Sequence, residues 1–349
     1  MDDAVFGLYV DKLSNTAKLF KTPGKNIRAI DESISTVKLP CWEDNVDLRR
    51  AYRELLLTTP GALSSLIGVV LSEEALHQKT ADGKPFTDVL KENEVLVGIM
   101  TRGNPVAWRG PDGHTQKFQQ HREAGAHFAV WDDGPVIDAS EPSETTIRKQ
   151  AEELASFATY CQRGGLVPIV YPKLSFDKTP STGKFADSTK SVLAACLKAL
   201  NDRNVHLEGI LLMLGIAPQA DPRDIARDTL NVLRKTVPPA IPVIVFLSSG
   251  QSENEAVITM NNLKVSKVSK PWSLSSFFGP PPQQRTLKAR ARNSSPHSLQ
   301  DTRRAQKRPR DLTRATFNLV RALASLLITR TTSTECVDLG FASLTSVTA

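Results

Sequence analysis

Residues 242–247 read PVIVFL, an apolar run without alternating polar side chains. This pattern suits a strand that is buried on both faces, because a half-buried strand would place polar residues at every second position. Both faces of a strand are covered when helices pack on either side of a parallel sheet. The run therefore predicts a parallel α/β architecture.

Further apolar runs bounded by turn signals extend this prediction along the chain. They lie at 26–31, 66–71, 96–100, 127–131, 166–171, 206–213 and 272–278. Helical patterns fill most of the gaps, the clearest at 46–58, 144–163, 185–203, 221–237 and 252–263. Strands that alternate with helices in this number predict a (β/α)8 TIM barrel, which usually takes roughly 250 residues. An open doubly wound sheet shares the pattern and stays open as an alternative.

The positive charge of the chain is concentrated in one segment. The chain has 349 residues and a formal net charge of +7. Ten of its 44 basic residues and two of its 37 acidic residues lie in 285–314, a net +8, so the rest of the chain carries −1. This distribution argues against a nucleic-acid-binding surface spread over the whole fold. Polyanion binding through 285–314 is a hypothesis, with a solvated loop or a nuclear import signal as the alternatives.

These patterns divide the chain into four segments. Residues 1–288 are predicted to form the barrel, and 289–310, which lack a hydrophobic period, a basic and disordered insert. A helical pattern returns at 311–330, which we interpret as a C-terminal helix of the barrel. Residues 331–349 are rich in Thr and Ser and are predicted to form a flexible tail.

Cysteine and histidine spacing does not support a metal site. The cysteines Cys41, Cys161, Cys196 and Cys336 include no C-x-x-C pair, and the six histidines form no ligand-spaced cluster. The start, MDDAVFGLYV, has no basic n-region, and no long uncharged apolar run reaches the roughly 20 residues of a membrane helix. We therefore expect free thiols, no metal or other cofactor, no membrane contact, and a soluble protein that is not secreted.

Several blocks of the sequence resemble a known enzyme family. They include TPGKNIRAIDES (22–33), LLLTTPGALSSLIGVVL (55–71), HQKTADGKPFTDVLKEN (77–93), RKTVPPAIPVIVFLSSGQSENEA (234–256) and KPWSLSSFFG (270–279). Over these blocks the chain is similar to class I fructose-1,6-bisphosphate aldolase, nearest to the cytosolic plant-type enzymes. The resemblance implies a cytoplasmic, tetrameric TIM barrel of glycolysis and gluconeogenesis. Such enzymes cleave the sugar bisphosphate to dihydroxyacetone phosphate and glyceraldehyde 3-phosphate through a lysine Schiff base, without a metal.

The position of the Schiff-base lysine departs from the family pattern. The family has the motif LLKPN after its sixth strand, whereas residues 211–215 of this chain read LLMLG. Met213 stands at the lysine position, or the KPN triplet is deleted. Because a thioether cannot form an imine with a ketone, either alignment predicts that lyase activity is lost.

Other positions on the predicted catalytic rim differ as well. The family's G-I-K corresponds to Gly98-Ile99-Met100, its A-K-W-R to Ala129-Val130-Trp131-Asp132, and its E-P-E to Tyr171-Pro172-Lys173. The resemblance implies that Met100 and Val130 replace two cations near the substrate phosphate by apolar groups. It also implies that Asp132 replaces an arginine, and that Tyr171 replaces the glutamate that serves as acid and base.

Part of the family's site is retained. Asp31 matches the strand-one aspartate that the family uses beside its lysine. The positions that match substrate phosphate-binding residues are Ser33, Lys38, Ser248, Ser249, Gly250 and Gly279, although Pro280 follows Gly279 where the family has an arginine. For Ser248 to Gly250, helix capping is an equally good explanation, because capping and phosphate binding use the same residue types.

Lys173 supports a separate hypothesis. It is predicted at the end of the fifth barrel strand, close to Tyr171 and Asp31, where a relocated amine could form an imine; a solvated surface lysine is the alternative.

The sequence leaves three functions open: an aldolase relative that has lost lyase activity, an active glycolytic aldolase, and an aldolase-derived binding scaffold that uses the basic insert.

Overall fold

A computed structural model describes residues 3–30, 46–103, 111–132, 134, 136–138, 142–175, 182–216, 221–247 and 253–279. The helices are α1 (Asp3–Leu19), α2 (Val46–Thr58), α3 (Glu73–Leu76), α4 (Phe86–Glu92), α5 (Pro111–Glu123), α6 (Glu144–Arg163), α7 (Thr182–Asp202), α8 (Pro222–Thr236) and α9 (Glu253–Val265). The strands are β1 (Asn26–Ala29), β2 (Leu66–Leu71), β3 (Leu96–Thr101), β4 (Phe128–Trp131), β5 (Val136–Asp138), β6 (Val167–Val170), β7 (Lys173–Ser175), β8 (Leu211–Gly215), β9 (Val243–Leu247) and β10 (Ser273–Phe278). The predicted insert, C-terminal helix and tail lie outside the described residues.

The main sheet closes on itself. Its strands follow the order β1, β2, β3, β4, β6, β8, β9, β10, and β10 pairs with β1. Every neighbouring pair is parallel. This closure confirms the predicted (β/α)8 barrel and excludes the open doubly wound sheet. Most of the barrel strands are largely apolar because helices cover the outer face while side chains fill the interior; all six residues of β2, for example, are buried.

The barrel strands belong to one compact unit, which comprises the described parts of 3–30, 66–76 and 94–279. The described residues of a second unit, 46–65 and 77–93, contain α2 and α4. In the second unit, Glu54 of α2 accepts a hydrogen bond from the backbone N–H of Ala81 at 2.9 Å. Arg53 is 2% exposed and donates to Gln78 Oε1 at 2.7 Å.

One strand begins later than the sequence predicts. The run 206–213 was expected to be a strand from its first residue, but Leu207–Gly209 form a 3-10 turn and β8 begins at Leu211. Gln162 of α6 fixes this turn, because its side-chain N–H group donates to the carbonyl of His206 at 2.8 Å. Because of this turn, β8 spans Leu211–Gly215, and Met213 is its central residue.

Aromatic rings fill the end of the barrel where the strands begin. Phe128, the first residue of β4, meets the ring of Phe20 edge to face, with 5.2 Å between the ring centroids. A Cβ atom added at Gly98 would lie 2.4 Å from two carbons of the Phe128 ring, and one at Gly68 would lie 3.0 Å from it. Glycine at 68 and 98 therefore leaves the space that the ring of Phe128 occupies.

Both cysteines of the described chain are free and buried. Burial raises the pKa of the Cys196 thiol to about 12 and that of Cys161 well above its usual value. Thiols in this environment stay protonated, so they behave as small apolar core groups. Cys41 and Cys336 lie outside the described residues.

Candidate active site

Side-chain direction along the strands shows which residues face the barrel interior. Trp131 of β4 packs against Phe157 of α6, with 6.0 Å between the ring centroids, so it points outward. Leu214 of β8 also points outward, because it lines a groove together with residues of α7 and α8 such as Phe185 and Val232. Since side chains alternate along a strand, the preceding residues of both strands, Val130 and Met213, point into the barrel.

The register of the strands extends this assignment round the barrel. Val130 pairs with Met100 on one side and with Ile169 on the other, and Ile169 pairs with Leu211. Paired residues of parallel strands face the same side of the sheet. Met100 therefore points inward with Val130, as the close approach of Gly98 to the Phe128 ring independently indicates.

The inward residues toward the C-terminal ends of these strands form an apolar surface. Met100 is 5% exposed, Val130 is 2% exposed and Met213 is 2% exposed. They lie on β3, β4 and β8, and of these strands β3 and β4 are direct neighbours. The structure thus places three of the predicted rim positions inside the barrel, where each fills space and none offers a charge or a nucleophile.

A polar row follows this apolar surface. When the observed register is continued past the last paired residues, Asp132 comes beside Arg102 of the β3 end and Tyr171 of the β6 end. The carboxylate Oδ2 of Asp132 is 3.8 Å from Nη2 of Arg102. The same continuation brings Tyr171 to the level of Met213. The C-terminal ends of β3, β4, β6 and β8 therefore contribute to one rim, which is the end of such barrels where catalysis takes place.

Lys173 lies beside this row but not on a barrel strand. Strand β6 ends at Val170, and Lys173 begins β7, which forms a separate parallel pair with β5. Lys173 therefore lies three residues beyond the end of the fifth barrel strand, whereas the sequence predicts it at that end. The ammonium Nζ of Lys173 is 3.5 Å from Oδ1 of Asp132 and also donates to the backbone carbonyl of Asp132. It lies 5.7 Å from the centroid of the Tyr171 ring.

Comparison with known proteins decides the family. The pattern of the Glycolytic family, Fructose-bisphosphate aldolase class-I, matches residues 12–318. Fructose-bisphosphate aldolase 5, cytosolic, of Arabidopsis thaliana is 45% identical over 305 residues, which cover 82% of this chain and 85% of the relative. The chain belongs to the class I fructose-bisphosphate aldolase family. The cytoplasmic isozyme 1 of Pisum sativum is 44% identical over 304 residues, again covering 82% of this chain and 85% of the relative.

A solved aldolase structure agrees with this membership. The fructose-bisphosphate aldolase of Plasmodium falciparum, crystallised with TRAP and a small-molecule inhibitor, matches with a TM-score of 0.70 and 30% identity. The match covers 95% of this chain and 96% of that one. The aldolase resemblance that the sequence blocks indicated is therefore confirmed.

The predicted site residues of this aldolase-family chain divide into two groups. Met100, Val130, Tyr171 and Met213 lie on or directly after neighbouring parts of the barrel, and Gly279 directly follows β10. The other predicted site residues lie outside the described residues; they are Asp31, Ser33, Lys38, Ser248, Ser249 and Gly250. Their roles stay predictions, as does polyanion binding through 285–314.

The part of the chain that the structure describes contains neither a metal-binding cluster nor a membrane-spanning helix. Among those residues, no group of three or more His, Cys, Asp or Glu side chains is arranged to hold a metal ion. No described helix combines the length and apolar character that crossing a bilayer requires.

Tyr171 is held as a neutral phenol. Its partial burial, and secondarily the nearby carboxylate of Asp132, raise its pKa to about 12. Both causes disfavour the phenolate, because one removes water from the charge and the other repels it. At neutral pH the group can therefore donate a hydrogen bond, but it cannot provide the carboxylate that the family's glutamate would supply.

The raised pKa of Tyr171 predicts a specific loss of stability in alkali. A phenol with a pKa of about 12 in the folded state and 10 in the unfolded state contributes stability that is complete below pH 10 and is lost as the pH rises to 12. The contribution is of the order of 2–3 kcal/mol. Tyr171→Phe should remove this component, so its free energy of unfolding should fall less steeply than that of the wild type between pH 10 and 12.

Urea unfolding at pH 9, 10 and 11 measures the difference between the two proteins. Cys196, whose pKa is also raised, titrates in both proteins and cancels in the comparison. Parallel stability curves for the wild type and Tyr171→Phe would contradict a buried neutral phenol at this position.

Sequence reasoning identified Asp132 and Lys173 separately but did not predict that they form a pair. The motif comparison treats Asp132 as the replacement of an arginine, and Lys173 as a relocated amine or a solvated surface lysine. A signal was present in the sequence, because the two departures from the family motifs have opposite signs and follow neighbouring barrel strands, β4 and β6. The contact depends on strand register and on the short β7, neither of which the sequence reveals.

Proposed function

We propose that this protein keeps the barrel of the class I aldolases but does not cleave fructose 1,6-bisphosphate through a Schiff base. Met213 is the observation that carries the proposal. The resemblance implies either that it stands at the position of the imine-forming lysine or that the lysine is deleted, and its side chain points into the barrel with 2% exposure. A thioether has no amine to attack a ketone.

The surroundings of Met213 support the same conclusion. Met100 and Val130, at positions where the family has cations, are buried and apolar. The buried side chains of the described chain include no lysine, so none of them replaces the missing amine from within the barrel. Lys173 reaches the rim, but Asp132 engages its ammonium with both its carboxylate, 3.5 Å away, and its backbone carbonyl. Lys173 is therefore a poor candidate for a relocated Schiff-base residue.

We further propose that the protein acts in the cytoplasm, as the cytosolic relatives do by name, and that it forms homo-oligomers. A sugar bisphosphate or a triose phosphate is the ligand class that membership of the family favours. An active glycolytic aldolase is the competing function, and the family match over residues 12–318 is the observation in its favour.

A cleavage assay separates the two functions. Purified protein is supplied with fructose 1,6-bisphosphate, and formation of triose phosphate is coupled to oxidation of a reduced nicotinamide cofactor. We expect no turnover above that of a blank without protein. In parallel, the protein is treated with dihydroxyacetone phosphate and borohydride, and we expect no mass increase. Turnover above the blank would overturn the proposal, and an adduct on Lys173 would reinstate that residue as the reactive amine.

A further inference from the structure

Asp132 lies between two cations at the C-terminal rim of the barrel. Its Oδ1 is 3.5 Å from Nζ of Lys173, its backbone carbonyl accepts a hydrogen bond from the same ammonium, and its Oδ2 is 3.8 Å from Nη2 of Arg102. The side chain of Lys173 is 17% exposed and that of Asp132 is 27% exposed. A pair that is this far removed from water is screened less than a surface pair.

The backbone of Lys173 is fixed, so its ammonium is directed at Asp132. Lys173 pairs with Val136 in the small β5–β7 sheet. Its carbonyl accepts a hydrogen bond from the Gln150 side chain of α6 at 3.0 Å, and Gln150 is 1% exposed. The backbone of Lys173 is therefore held beside the rim, and its ammonium reaches Asp132 from there.

Asp132 and Lys173 each carry the charge opposite to that of the corresponding residue in the family motifs. Where A-K-W-R has arginine this chain has Asp132, and where E-P-E ends in glutamate this chain has Lys173. Either change alone would place like charges next to each other, whereas both together restore an ion pair. The geometry thus links two departures that are 41 residues apart in the sequence.

We propose that Asp132 is a specificity-determining residue that occupies Lys173 as a resident anion and so excludes phosphate from this side of the barrel mouth. The carboxylate takes the place that a ligand phosphate would take beside the ammonium. A phosphorylated ligand would have to displace it, and the displaced carboxylate would then repel the phosphate at close range. This side of the mouth accordingly disfavours a dianionic group although two cations flank Asp132.

Removing the carboxylate tests this inference. Asp132→Asn should bind inorganic phosphate with an association constant at least about tenfold that of the wild type, since a charge-assisted hydrogen bond becomes available to the ligand. Isothermal titration calorimetry at low ionic strength measures the gain, and thermal unfolding verifies that each variant is folded. Asp132→Ala, which frees the cation without adding an amide, should show the same gain.

Three further variants make the result specific to Lys173. The gain should disappear in Asp132→Asn combined with Lys173→Gln. It should also be absent from the exchanged pair, Asp132→Lys with Lys173→Asp, which keeps both charges. Asp202→Asn is the matched control, because it frees Lys198 from an exposed pair of 2.5 Å elsewhere on the molecule.

Each contrary result overturns the inference. Unchanged phosphate binding in both Asp132 variants would show that the carboxylate does not block the site. A gain that survives removal of Lys173 would assign the binding to Arg102, and an equal gain in Asp202→Asn would make it a general effect of charge. Phosphate binding is measured without turnover, so failure of this inference is distinguishable from failure of the proposed loss of cleavage.

Discussion

Met213→Lys is expected to lower the free energy of unfolding by about 4–5 kcal/mol at pH 7. Met213 is 2% exposed and points into the barrel, where a lysine would have to lose its charge on folding. The unfolded amine has a pKa of about 10.4, so its deprotonation at pH 7 costs about 1.4 kcal/mol for each of roughly 3.4 pH units. The cost should therefore shrink as the pH is raised toward 10, since the unfolded amine then loses its proton as well.

Urea unfolding at pH 7 and pH 9.5 measures this dependence. Met213→Leu is the control; it conserves volume and polarity and should change stability by less than about 1.5 kcal/mol at both pH values. If the lysine variant is as stable as the leucine variant at pH 7, the side chain at 213 reaches water and the interior assignment is wrong.

The same variant tests whether this position is accessible from the mouth. A neutral amine is the nucleophilic form, so burial should make the introduced group reactive toward a ketone. We expect borohydride to trap one dihydroxyacetone phosphate per chain in Met213→Lys and none in the wild type. Lack of an adduct in a folded variant would contradict an open path from the rim to residue 213.

The barrel could be predicted because its strands carry a strong and unambiguous pattern. The runs 66–71 and 242–247 agree with β2 and β9 to within one residue, since Val, Ile and Leu occupy consecutive positions only where both faces are buried. The small β5–β7 sheet could not be predicted. Each of its strands has three residues, with a burial pattern that is mostly partial or exposed, so neither forms an apolar run.

The candidate site was predictable residue by residue but not as an arrangement. Met100, Val130 and Met213 were identified from motif comparison, and their apolar character made their burial a direct expectation. The ionic contact of Asp132 with Lys173 required the register between β4 and β6 and the turn that leads into β7. Spacing along the sequence carries no information on that register, because the connecting α6 can vary in length without changing either motif.

Gly98→Ala is expected to overpack the barrel interior and to lower the free energy of unfolding by about 3 kcal/mol. The new Cβ atom would lie 2.4 Å from two carbons of the Phe128 ring, closer than any stable contact. The ring is fully buried and packs edge to face on Phe20, so it has no space into which it can turn. Gly183→Ala is the control: nothing lies within 4 Å of its added Cβ, and at the second residue of α7 it should change the free energy of unfolding by less than about 1 kcal/mol.

A double-mutant cycle identifies the ring as the cause of the strain in Gly98→Ala. Phe128→Ala alone should cost about 3–5 kcal/mol, because it leaves a cavity in the barrel. In that background Gly98→Ala should cost little, since the added methyl group enters the vacated space, and the two changes should couple by more than about 1 kcal/mol. Thermal and urea unfolding of the four proteins give the coupling energy. If the two costs are additive, the Phe128 ring does not fill the space beside Gly98, and the inward direction of Met100 and Val130 loses one of its two supports.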